Sequence, residues 1–168
     1  MRTAALAALI SVAACGPRAP LPREERLQTI DSLSLSQSVG GRPGWTLHAR
    51  LAHLREDEKT ASLESPMMEF YRGAAVVSRV TARSGEIFTD THDVRLSSSV
   101  VVNSLDDHSI LETEQLLYSS RMARFHTESA VVVRRPGAVI RGEGMEATPD
   151  LSEIRIFRQR SMITGNPR

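Results

Sequence analysis

Ile110 to Tyr118 reads ILETEQLLY, and the spacing of its inward residues decides the fold. Leu111 and Thr113 lie two apart, as neighbours on one face of a strand do, but the next members, Leu116 and Tyr118, fall on the other face by strict alternation. A single inserted residue returns them to the first face, which is what a β-bulge does while it bends the strand. The same steps of two, three and two recur at Leu47, Ala49, Ala52, Leu54, at Val80, Ala82, Gly85, Ile87, and at Ile140, Gly142, Met145, Ala147. These four units begin at 47, 80, 111 and 140, a period of about 30 residues, within the range of repeat architectures.

Around these units the chain alternates with a period of two, and turn clusters separate the runs. Leu33 and Leu35 share a face ahead of Gly40, Gly41, Arg42, Pro43, Gly44, after which Trp45 opens the first unit. Leu63 to Tyr71 is a strand with Pro66 at an edge or a bend, and Gly85 supplies positive φ at a bulge. Val94, Leu96, Val100 and Val102 share a face, and Ser104 to Ser109 is a hairpin turn. Phe125 to Val133 alternates, and a last strand runs from Glu153 to about Ile163. No stretch between 30 and 163 has helical periodicity, so the reading is one all-β domain over 30–163, built of antiparallel bulged strands, with a tail at 164–168.

Composition narrows the function. At 168 residues the chain fits one domain plus a leader, and 4% aromatic content leaves Val, Leu, Ile, Met and Ala to build the interior. Removing a leader that contains Arg2 leaves 20 basic against 20 acidic residues, a balance that does not point to nucleic acid. Asp90, His92 and Asp93, and Asp106, Asp107 and His108, fall in turns without metal-ligand spacing, and no nucleophile elbow or phosphate loop occurs. Gly142 and Gly144 lie between strands and read as bulge or close-approach positions. Arg134 and Arg135, and Arg155, Arg158 and Arg160, read as solvated faces or as contacts to anionic headgroups. No enzyme, cofactor or metal is expected.

Met1 to Ala14 has one basic residue and an apolar run too short to span a bilayer, and it reads as a signal peptide. Val12, Ala13, Ala14, Cys15, Gly16 resembles the lipobox of bacterial lipoproteins, so Cys15, the sole cysteine, is expected to carry a lipid anchor. Residues 15–29, with Pro17, Pro20 and Pro22, form a linker of roughly 20 Å span.

With leader, turns and units in place, the chain resembles the LptC family of the lipopolysaccharide transport machinery over about residues 44 to 160. The resemblance rests on Gly44 to Leu47 with Ala49, and on Pro66, Glu69, Phe70 and Tyr71. It continues through Val80 to Ala82 with Gly85, Leu111 to Leu116 with Tyr118, Thr127 with Val131, and Ile140 with Gly142, Gly144 and Met145. It implies an open, twisted antiparallel β-jellyroll that takes lipid A acyl chains from an inner-membrane ABC transporter and passes them to an LptA-like periplasmic protein. On that reading Leu47, Ala49, Val80, Ala82, Leu111, Thr113, Leu116, Ile140, Gly142 and Met145 line an acyl-chain groove. Open edges suited to strand addition lie at Trp45 and Leu51 and at Ile154 and Ile156. The family is usually held by a transmembrane helix, whereas this chain is expected to sit on the periplasmic face of the inner membrane through Cys15. The competing reading is a lipid-anchored scaffold or envelope-assembly protein with a packed core that carries no lipid.

Overall fold

The computed structural model describes residues 27–164, and every regular element among them is a β-strand. In chain order these are β1 (Leu27–Val39), β2 (Arg42–Arg55), β3 (Thr60–Glu64), β4 (Met67–Arg72), β5 (Ala75–Thr81) and β6 (Ser84–Phe88). They continue with β7 (Val94–Ser104), β8 (Ile110–Ser119), β9 (Arg124–Arg135), β10 (Ala138–Ala147) and β11 (Ile154–Thr164). All belong to one sheet and every ladder is antiparallel. β3 and β4 are halves of one path broken at Ser65 and Pro66, and both pair with β2; β5 and β6 are likewise halves of the next path. The chain therefore makes nine passes, each beside the one before it, which is the all-β antiparallel architecture that alternation and turn spacing predict. The leader, Cys15, the linker up to residue 26 and the tail from 165 lie outside the described residues.

One boundary and one edge differ from the sequence reading. β1 takes in Leu27 to Thr29, which pair with Arg55, Leu54 and His53, because the first strand follows β2 along its whole length. The N-terminal edge is consequently β1. Trp45 and Leu51, expected at an edge, lie on β2, which is paired to β1 on one side and to β4 and β3 on the other.

The passes bend at one level. On β8 the residues facing inward are Leu111, Thr113, Leu116 and Tyr118, all buried, with Glu114 and Gln115 exposed at the bend. β10 repeats this with Gly144 at φ +73°. β7 and β9 step by four instead: Val94, Leu96, Val100 and Val102 are buried on one, Phe125, Thr127, Val131 and Val133 on the other. The extra residues on β7, Ser98 and Ser99, are exposed and have φ of +67° and +55°. Backbone groups freed by the bends are recovered locally. The Arg83 amide donates to the Ser98 carbonyl at 3.0 Å, the Ser65 amide to the Arg83 carbonyl at 2.8 Å, and the Thr113 hydroxyl to the Ala130 carbonyl at 2.9 Å.

Bending at one level folds the sheet over on itself into two layers. The first layer holds the segments around 42–48, 67–81, 100–113 and 131–142, and the second those around 51–64, 84–97, 116–127 and 145–156. Ring contacts show the closure. Phe70 on β4 and Phe125 on β9 are four ladders apart, roughly 19 Å in a flat sheet, yet their centroids lie 5.3 Å apart, edge to face. Between the layers sit Phe125, Leu47, Leu63, Met68, Ile87, Leu96, Leu111, Leu116, Met145, Leu151, Val80 and Val94, all fully buried. Burying one such side chain stabilises the fold by about 1.5–3 kcal/mol.

Candidate functional site

The ten residues expected to line a groove all face the space between the layers. Leu47, Val80, Leu111, Leu116 and Met145 are fully buried, Ala49, Thr113 and Gly142 are buried, and Ala82 and Ile140 are partly open. The middle of the space is filled by packed side chains, and Thr113 spends its hydroxyl on the bend. Two of the open volumes are clefts toward the rim.

The first cleft, about 570 Å³, has a floor of Trp45, Phe70, Val77 and Tyr118 and a rim of Gln37, Arg72, Ser120, Ala123 and Asp150. Alternation on β2, β4 and β8 turns the three rings inward, where Tyr118 meets Trp45 at 6.2 Å and Phe70 at 4.8 Å, both edge to face. Two polar ties cross this mouth. Gln37 on β1 accepts from Trp45 Nε1 at 2.6 Å and from the Ser120 hydroxyl at 2.7 Å. Arg72, at the end of β4, pairs with Asp106 at 2.7 Å and with Asp150 in the β10–β11 connection. Partial burial alone would raise the Asp150 carboxyl. Hydrogen bonds from Thr148, Ser152 and Arg72 outweigh that and hold it down at about 2. Burial, with the Asp93 carboxylate nearby, pushes the Tyr118 phenol up to about 12.

The second cleft, about 630 Å³, lies beside β11. Val133, Ile140, Ile154 and Ile156 give it an apolar wall, and Arg124, Arg135, Arg155, Glu146 and Glu153 ring it. Ile154 and Ile156, expected on the C-terminal edge, lie on β11, which pairs with β10 on one side; their side chains pack inward against the core, and it is the β11 backbone that presents an edge. The arginine groups divide. Arg134 pairs with Glu112, and Arg158 and Arg160 with Glu143, across neighbouring strands. Arg135 turns inward and donates to the Leu151 carbonyl at 2.7 Å.

The turn clusters serve turns. Asp93 accepts the Ser120 amide at 2.7 Å, and Asp107 accepts the Ser109 amide at 3.0 Å and its hydroxyl at 2.7 Å. Among the described residues no three His, Cys, Asp or Glu gather to hold a metal ion, and no helix is long and apolar enough to cross a membrane. The sequence reading passed over Arg72 and Leu151, and it took Arg135 for a solvated face or a headgroup contact, whereas Arg135 is tied to the Leu151 carbonyl. A signal was present in Thr148, Asp150 and Ser152, whose alternate polar groups build a side-chain-capped turn too elaborate for a plain hairpin end.

No curated protein matches the chain. Residues 6–161 match the family model described as lipopolysaccharide-assembly, LptC-related. That match spans nearly the whole chain, including every bulged unit of the two-layered sheet, and the protein belongs to the LptC-related family of lipopolysaccharide-assembly proteins, a component of lipopolysaccharide export.

Proposed function

We propose that the protein receives lipopolysaccharide from an inner-membrane ABC transporter and hands it to an LptA-like bridge, its acyl chains lying between the two layers. The observation that carries this reading is the pairing of cleft with edge. The aromatic cleft opens beside β1 and β2, the aliphatic cleft opens beside β11, and among the described residues β1 and β11 are the two strands with an unpaired side. A partner that adds a strand at either edge continues the sheet and the apolar space under it together. Each acyl CH₂ withdrawn from water there gains roughly 0.8 kcal/mol. Cys15, acylated, holds the domain at the periplasmic face of the membrane, and incorporation of labelled palmitate tests that step.

Trp45 is the sole tryptophan and lies on the floor of the first cleft, so it reports occupancy. Lipopolysaccharide carrying brominated acyl chains is expected to quench it on binding, and folded protein that shows no quenching overturns the carrier reading. A second reading, a packed scaffold of envelope assembly, is favoured by the filled middle of the interior and would give that result. Photo-crosslinkers on β1 and β11 separate the handover into its two halves. Different partners are expected at the two edges, and one partner captured at both contradicts a head-to-tail bridge.

A further inference from the structure

We propose that the β10–β11 connection, residues 148–153, is a removable plug seated between the layers, and that its withdrawal joins the two clefts into one continuous groove. The proposal rests on the carrier reading and adds a moving part to it. Thr148, Pro149 and Asp150 line the aromatic cleft, and Ser152 and Glu153 line the aliphatic one, so this one loop separates the two open volumes. Leu151, between them, is wholly buried among the core side chains.

Internally the loop is closed on itself. The Asp150 carboxylate takes the Thr148 hydroxyl at 2.7 Å and the Ser152 amide at 3.1 Å, and the Leu151 amide donates to the Thr148 carbonyl at 3.0 Å. At its base the Thr148 amide donates to the Glu153 carbonyl at 3.0 Å, forming a neck above the last ladder pair, Ala147 and Ile154. All of these bonds lie within the loop and none ties it to the opposite layer, so the loop, once unseated, is free to loosen. What holds it down comes from the opposite layer: Arg72 on the Asp150 carboxylate, Arg135 on the Leu151 carbonyl, and the burial of the Leu151 side chain. Leu151 also sits at φ +59°, a conformation that L side chains rarely adopt. That strain is kept only while the side chain is buried, and it favours release once the ties are loosened.

Arg72→Met with Arg135→Met removes both guanidinium ties and keeps the apolar stems. The full chain is followed by amide hydrogen exchange and by stopped-flow quenching of Trp45 with brominated-acyl lipopolysaccharide. Exchange of the 150–153 amides is expected to accelerate by about tenfold or more, with the β7–β9 ladders unchanged, and lipid is expected to associate several-fold faster. Loop exchange that stays at the parent rate overturns the plug, as does faster exchange with an unchanged association rate. A parent chain that never quenches overturns the carrier reading and the plug with it, whereas quenching at an unaltered rate overturns the plug alone. Leu151→Ala shortens the plug without touching either tie, and it gives the same two readouts if the double variant does not fold.

Discussion

At Gly142 a single methyl group has no room. A Cβ there would lie 2.3 Å from Ile156 Cγ2 and 2.9 Å from the Arg158 carbonyl oxygen, so β11 must move or the bend must distort. Gly142→Ala is expected to cost about 1–3 kcal/mol, read as a lowered urea midpoint. Gly85, read from sequence as a residue suited to positive φ, does not adopt one and is a space requirement instead: its Cβ would stand 2.9 Å from the Arg95 carbonyl. Sequence shows that a glycine is present, but whether backbone angle or a neighbour demands it depends on which strand packs alongside. Asp150 carries the clearest dependence on pH. Its carboxyl is depressed in the folded state from 3.8 to about 2, so its contribution is complete above the unfolded value and is lost as pH falls from about 4 to about 2. Asp150→Asn should therefore lower stability at pH 7 by about 2 kcal/mol at most, and the two proteins should unfold alike at pH 2. Thermal scans across that range check it.

The bend is the property that the strands share, and they reach it in two ways. Steps of three on β8 and β10 are legible as a break in alternation. Steps of four on β7 and β9 keep all four inward residues on one parity, so Ser98 and Ser99 look like ordinary strand residues and the bend there is hidden. The two ways suggest what each tolerates. Deleting Ser99 turns the β7 step of four into the step of three that β8 uses, keeping Val94 and Leu96 buried. It is expected to cost no more than about 2 kcal/mol, within the ordinary range for a point change. Deleting both serines leaves faultless alternation and a straight strand, and the layers can no longer close over Leu96. That variant is expected to lose cooperative thermal unfolding. Pro66, by contrast, was readable as a bend because its ring excludes a ladder donor, and it stands between β3 and β4.

Closure of the two layers depends on side chains far apart in sequence, above all Phe70 on Phe125 and Tyr118. Phe70→Ala is expected to cost about 3–5 kcal/mol, measured by denaturant unfolding, and to lose the edge-to-face signature of Tyr118 in near-ultraviolet dichroism. Period and turns made the all-β meander legible from Ile30 onward. They could not show which strand ends at an edge, because β1 and β2 alternate alike and only pairing distinguishes them; nor could they show that Arg72 and Asp150 meet, since nothing local joins them. The meander itself has a temporal consequence. Each pass lies beside the one before it, so a chain synthesised from its N-terminus can lay down β2 on β1, then β3 and β4 on β2, without waiting for distant sequence. Growth of the sheet is then a single repeated act with no set last step. On the proposed handover, docking of a partner strand against β11 would be the same act continued by another polypeptide, and assembly of the bridge an extension of folding.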